Sequence, residues 1–137
     1  MGMHALAETL GIEDPRDQAS LIELTRHGLP GSAIDTLAEG LGITILELSR
    51  YLHVSGRTLM RHREKLLDKH LSDHLITVGI VVARCTELFQ DREKGARWLK
   101  TPSVALGNCR PLDLLDTTAG ATMVLNLLGR IEHGVFS

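Results

Sequence analysis

Thr44-Ile45-Leu46-Glu47-Leu48-Ser49-Arg50-Tyr51-Leu52-His53-Val54-Ser55-Gly56-Arg57-Thr58-Leu59-Met60-Arg61-His62-Arg63-Glu64-Lys65-Leu66 is the stretch that decides this fold. Thr44 and Glu47 have capping-box spacing, with hydroxyl and carboxylate placed to satisfy exposed backbone N–H groups, and Ile43 with Leu48 supplies the accompanying hydrophobic staple. A helix therefore starts at Thr44. Ile45, Leu48 and Leu52 point inward, and small Ser49 lets a following helix approach closely. A turn falls at His53-Val54. Ser55 then caps a second helix, Gly56 to about Lys69, held inward by Leu59 and Leu66. Helix, tight turn, helix is the helix-turn-helix pattern. Glycine most often occupies the turn position held here by His53, and histidine tolerates a left-handed backbone better than most residues.

Turning Leu59 inward at 100° per residue puts Arg57, Arg61 and Glu64 on the outward face, with Thr58, Met60, His62 and Arg63 along its flanks. Charge singles out the same region. Lys and Arg against Asp and Glu run 2 to 8 over Met1–Leu48, 6 to 2 over Ser49–His70 and 7 to 7 thereafter, so a net charge of −2 conceals one positive island. Such a surface attracts phosphate. The spacing assigns Ser55 and Thr58 to phosphate contacts, Arg57 and Arg61 to base edges or nearby phosphates, and His62 and Arg63 to the rim of the same DNA-binding face. The bland alternative is a solvated basic helix paired with acidic neighbours.

Outward from this core, apolar residues recur at three- and four-residue intervals and no segment sustains strand alternation, so the fold class is all-α. Asp17 caps a helix over Gln18 to His27, which stops at Gly28-Leu29-Pro30-Gly31; Ser32 caps the next, ended by Gly42. Residues 1–17 form an acidic, weakly patterned N-terminal arm, partly mobile. Residues 18–70 make the helix-turn-helix domain and 71–137 a second helical domain. The helix Ser72 to about Gln90 is apolar on two sides, through Leu75, Val78, Val82, Cys85 and Phe89 and through Ile76, Ile80 and Val81. Self-association and burial at the centre of one monomer explain this equally well. Asp91 caps a further helix through Trp98 and Leu99, stopped at Thr101-Pro102. A loop and a short turn near Pro111 follow. In that turn Asp116 caps or turns the chain before a last helix bearing Met123, Val124, Leu127, Leu128 and Ile131, with Gly134 at its C-cap.

The 137 residues, 43% hydrophobic, suffice for one compact unit or two small helical subdomains. The longest apolar run, Leu75 to Ala83, is about half of the roughly 20 residues that span a bilayer, and the N-terminus lacks the order of a signal peptide. A cytoplasmic protein with no membrane association is expected. Cys85 and Cys109 form no CxxC pair and read as buried free thiols. His70 and His74 have i, i+4 spacing but no HExxH glutamate or third ligand. No catalytic residue, metal or cofactor is assigned, and the chain is not read as an enzyme.

Four pieces in order, Arg97-Trp98-Leu99-Lys100-Thr101-Pro102, Ala105-Leu106-Gly107, Pro111-Leu112-Asp113-Leu114-Leu115-Asp116-Thr117 and Leu128-Gly129-Arg130-Ile131-Glu132-His133-Gly134, resemble the C-terminal domain of Xre/MbcA/ParS-type antitoxins. With the helix-turn-helix the resemblance spans about Leu29 to Ser137. It implies a type II antitoxin whose C-terminal domain binds and silences a toxin, usually of the NAD-degrading RES class, and which represses the shared operon by binding operator DNA. For the toxin interface we favour the last helix and terminus, Arg130, Ile131, Glu132, His133, Gly134, Val135 and Phe136, which can enter or cover a dinucleotide pocket; the alternative is that Arg130 and Glu132 merely decorate an exposed helix end. Trp98, Leu112, Leu115, Leu127 and Leu128 read as core instead. Half-sites one helical turn apart imply at least a homodimer, joined by the two-sided apolar helix or by the N-terminal helices. The alternative function is an autonomous helix-turn-helix transcriptional regulator without a toxin partner.

Overall fold

A computed structural model describes residues 3–134. Among them are eight α-helices: α1 (Met3–Leu10), α2 (Gln18–His27), α3 (Ser32–Leu41), α4 (Ile45–Tyr51), α5 (Gly56–His62), α6 (Lys69–Phe89), α7 (Arg92–Leu99) and α8 (Thr118–Glu132). Two 3-10 turns, Val104–Leu106 and Pro111–Leu114, link α7 to α8. The all-α expectation holds.

Short polar residues start four of these eight helices where their spacing said they would. The side chains of Asp17, Thr44, Ser55 and Asp91 each accept a backbone N–H from the first turn that follows. Two caps differ. Ser32 lies inside α3, whose cap is Gly31, and Thr117 rather than Asp116 caps α8, accepting from Gly120 N at 2.9 Å.

The helix expected from Gly56 to Lys69 is broken after His62. Asp68 is the reason, because its extended backbone and its carboxylate, which accepts from Leu71 N at 2.8 Å, start α6 afresh. The intervening chain pairs with the α2–α3 loop: Gly31 N donates to Lys65 O at 2.7 Å and Leu67 N to Leu29 O at 2.8 Å. That pairing turns Leu66 out, 58% exposed, and sends Leu67 into the core in its place. Ser72, expected at the helix start, is fully buried one turn inside α6, where its hydroxyl accepts from Leu29 N at 2.9 Å.

α6 is the axis of the molecule, and α1, α2, α7 and α8 pack around it. Leu75, Val78, Val82 and Cys85 are buried on one side and Ile76 and Val81 on the other. Leu6 and Leu10 of α1, both fully buried, press against Gly79, while Gly95 of α7 lies against Cys85 and Thr86. Most of both greasy sides is therefore covered within one chain, with Ile80 and Phe89 half-buried against the same core. The covering also corrects the picture of a mobile arm: residues 3–10 are a packed helix, hidden in the sequence because eight residues show barely two turns of periodicity. Leu112, Leu115, Leu127 and Leu128 are core, as expected, with Trp98 packed partly buried against Phe89.

Desolvation pushes the buried Cys85 thiol up to about 12. Cys109, in contrast to expectation, is exposed, because it sits in a surface loop closed by a Ser103 N to Cys109 O bond of 3.0 Å.

α8 meets the second 3-10 turn so closely that a Cβ on Gly120 would collide with the Leu114 carbonyl. Backbone cannot yield there as a side chain can. Replacing Gly120 by Ala should destabilise the fold by about 2–4 kcal/mol and lower the melting temperature by roughly 10 °C. An unchanged thermal transition would show that α8 and the turn are not wedged at this point.

Candidate nucleic-acid and protein interfaces

The helix-turn-helix is α4, a turn and α5. The capping box at its start is reciprocal: Glu47 N donates to Thr44 Oγ1 at 3.1 Å and Thr44 N to Glu47 Oε1 at 3.3 Å. Leu48, Ser49 and Leu52 are buried, and Ile45 is half-buried. His53 does take the left-handed turn, at φ 55°. Thr58 N then donates to Ser55 Oγ at 3.0 Å, Ser55 Oγ donates to Thr58 Oγ1 at 2.8 Å, and α5 begins. Leu59 is fully buried, so Arg57 and Arg61 come out exposed on the other side.

These side chains do not all serve the outward face alike. The hydroxyls of Ser55 and Thr58 are engaged in the cap. His62 donates from Nδ1 to the Thr58 carbonyl at 2.6 Å and is half-buried. Arg63 turns back toward α3, its Nη2 lying 2.7 Å from Asp35 Oδ1. Asp35 raises the pKa of that guanidinium further and holds it charged. Of the six basic residues between 49 and 70, Arg63 alone makes an ion pair among the described residues. The positive island is therefore not neutralised by acidic neighbours. Arg50, Arg57, Arg61, Lys65 and Lys69 are all exposed.

The back of the motif is fastened to the C-terminal part of the chain, which spacing did not reveal. Arg110 donates from Nη2 to Tyr51 Oη at 2.9 Å and to Asp113 Oδ1 at 2.8 Å, and Tyr51 Oη donates to Asp113 Oδ1 at 3.3 Å. Arg110 holds the Asp113 carboxyl below its ordinary range, whereas burial pushes the Tyr51 phenol up. His53 Nε2 donates to the Asp116 carbonyl at 2.8 Å, and His74 Nε2 to that of Leu115 at 3.0 Å. The hydrogen bond to residue 116 offsets the backbone penalty of a histidine where glycine is easier. Only Tyr51, an amphipathic residue with a polar tip among core positions, hinted at such a junction. His70 and His74 join no group of three or more metal-ligating residues among the described residues.

At the other end, α8 runs out beside α6. Ile131 packs partly buried against the core, and Arg84 Nη2 lies 3.4 Å from Glu132 Oε2. Arg130 and His133 are exposed, and Gly134 follows with φ 72°, releasing the chain from the helix. Of the expected protein-contacting residues, Val135 and Phe136 lie outside the described residues. Arg130, Glu132, His133 and Gly134 are thus together at one exposed helix end, with Ile131 as its anchor.

Residues 20–78 match a family model described as the antitoxin Xre-like helix-turn-helix domain, and residues 85–134 match the antitoxin Xre/MbcA/ParS C-terminal toxin-binding domain. The chain is 31% identical over 136 residues to the antitoxin Xre of Yersinia enterocolitica serotype O:8, covering 97% of this chain and 91% of that protein. It is 47% identical over 58 residues to the antitoxin Xre of Photorhabdus laumondii subsp. laumondii, covering 42% and 39% of the two chains. A third relative, 40% identical over 52 residues, is the Prs ADP-ribosylating antitoxin of a Sphingobium species, covering 38% and 33%.

Proposed function

This chain belongs to the Xre/MbcA/ParS-type antitoxins, with a helix-turn-helix domain and a toxin-binding domain, and from that membership we propose that it neutralises a RES-type, NAD-degrading toxin and represses the shared operon. The observation that carries the operon half is that Arg57 and Arg61 point outward, without an ion pair among the described residues, from a helix whose opposite side is core. Cations held in a positive field without acidic partners lower the free energy of a phosphate-rich groove at that face. Ser55, Thr58 and His62 flank it.

The toxin half rests on the family's C-terminal domain and on the exposed end of α8. A pocket that binds NAD accommodates two phosphates, so a guanidinium such as Arg130 is suited either to the space of those phosphates or to acidic groups at the pocket mouth. The Sphingobium relative is named for ADP-ribosylation. That reaction consumes NAD, and this supports a toxin acting on NAD over one acting on RNA or membranes. Repression of half-sites favours at least a homodimer. Since most of both apolar sides of α6 is covered, the N-terminal helices, where Ile22 of α2 is 48% exposed, are the better surface for it. Repression of an operon would place its action in the cytoplasm. Among the described residues no helix is long and apolar enough to cross a membrane.

Co-expression with the neighbouring reading frame tests this directly. That frame alone should arrest growth and deplete cellular NAD, and adding this chain should restore both and yield a co-purifying complex. A neighbour that is harmless when expressed alone would favour the autonomous regulator instead.

A further inference from the structure

We propose that Asp35 and Arg63 form a brace that sets the angle at which α5 presents Arg57 and Arg61, so that Arg63 is a positioning residue and not a DNA contact. This inference rests on the nucleic-acid reading above. Three observations carry it. First, the pair joins α3 to the C-cap of α5 at 2.7 Å, with the Asp35 side chain 35% and the Arg63 side chain 37% exposed, and so partly shielded from solvent. Second, Arg63 Nε is buried without a hydrogen-bond partner among the described residues. That edge of the guanidinium faces the protein, while Nη2 meets Asp35 and Nη1 lies 3.6 Å from Met60 Sδ, so its charge is engaged by Asp35 before any phosphate arrives. Third, the same end of α5 is pressed on Gly31, where a Cβ would collide with the carbonyls of His62 and Arg63. The chain beyond then pairs with the α2–α3 loop through Gly31 N and Lys65 O.

The brace matters because α5 has only seven residues and one fully buried side chain, Leu59. So short a helix has little packing of its own to fix its direction. Its N-terminal end is set by the Ser55 cap and the turn; its C-terminal end is set by Gly31, the loop pairing and the ion pair. Loosening that end lets the row of arginines swing relative to the groove, and a shift of an ångström at a bidentate contact is enough to weaken it.

Removing an acidic residue beside a basic face ordinarily strengthens DNA binding, and the brace predicts the reverse. Binding of the full chain to a duplex from the region upstream of its own coding frame is measured across a salt series for Asp35→Asn, Asp35→Ala, Arg63→Ala, the double alanine variant and the exchanged pair Asp35→Arg with Arg63→Asp. Thermal melting of each confirms folding, and the isosteric Asp35→Asn keeps the test alive if alanine does not fold. Each single loss should weaken binding roughly fivefold with no change of salt slope. The double variant should be no worse than either single one, and the exchanged pair should regain most of the affinity. Tighter or unchanged binding by Asp35→Asn, or a salt slope reduced by about one in Arg63→Ala, would overturn the brace while leaving the DNA reading intact. Absence of salt-dependent binding by the wild-type chain would instead sink the nucleic-acid reading, and the brace with it.

Discussion

Ending the chain after Glu132 and replacing Arg130 by Ala should abolish toxin neutralisation in cells and lower affinity for the purified toxin by on the order of a hundredfold or more, since a buried interfacial arginine alone is commonly worth about 2–4 kcal/mol. The cut is placed there for a structural reason. Ile131 packs against the core and Glu132 meets Arg84, so both are kept, whereas Arg130, His133 and Gly134 are exposed and contribute little to folding. Thermal stability should therefore change little. Operator binding should be retained, because among the described residues α5 and its arginines make no hydrogen bond or ion pair with Arg130, His133 or Gly134. A truncated Arg130→Ala protein that still rescues growth would place the toxin-binding surface elsewhere in the C-terminal domain. Simultaneous loss of melting transition and both activities would mean that the helix end is scaffold.

Replacing Arg57 and Arg61 together by Ala should weaken operator binding on the order of a hundredfold, taking about 1–3 kcal/mol for each arginine that bonds a base edge or phosphate. The salt dependence should flatten as well, by about 0.9 in log–log slope for each lost phosphate contact. Both side chains are exposed and without ion pairs among the described residues, so their removal leaves no buried acid stranded. Stability should stay within about 0.5 kcal/mol of wild type, and the toxin complex should form as before. Full operator affinity in the double variant would mean that another face of the chain reads the DNA.

The helix-turn-helix was legible because its signals are local. A capping box, a second cap and inward leucines all lie within about twenty residues, and each acts through bonds that the segment makes with itself. Arg57 and Arg61 could be placed outward for the same reason, since helical geometry and one buried Leu59 suffice to orient them. Arg63 could not. At the end of a seven-residue helix its direction depends on Asp35, twenty-eight positions away, and periodicity carries no information about such a partner. The break after His62 was missed on similar grounds: the residues there are good helix formers, and pairing with the Leu29–Gly31 loop overrides their preference.

The two-sided apolar helix shows the same division from the side of the core. Its pattern required burial on both faces, and that requirement holds. Whether a second copy or the chain itself meets it depended on α1, too short to declare itself, folding back so that Leu6 and Leu10 reach Gly79.

By itself, then, the order of residues determined the all-α class, the caps at Asp17, Thr44, Ser55 and Asp91, the outward arginines and the family, because these follow from contacts within a turn or two and from motif spacing. Tertiary structure alone decided that Arg63 turns to Asp35, that the helix-turn-helix is fastened through His53 and Tyr51 to residues 110–116, and that α1, α2, α7 and α8 surround α6. Those outcomes rest on pairs tens of residues apart, whose meeting is set by how whole helices pack rather than by any local preference.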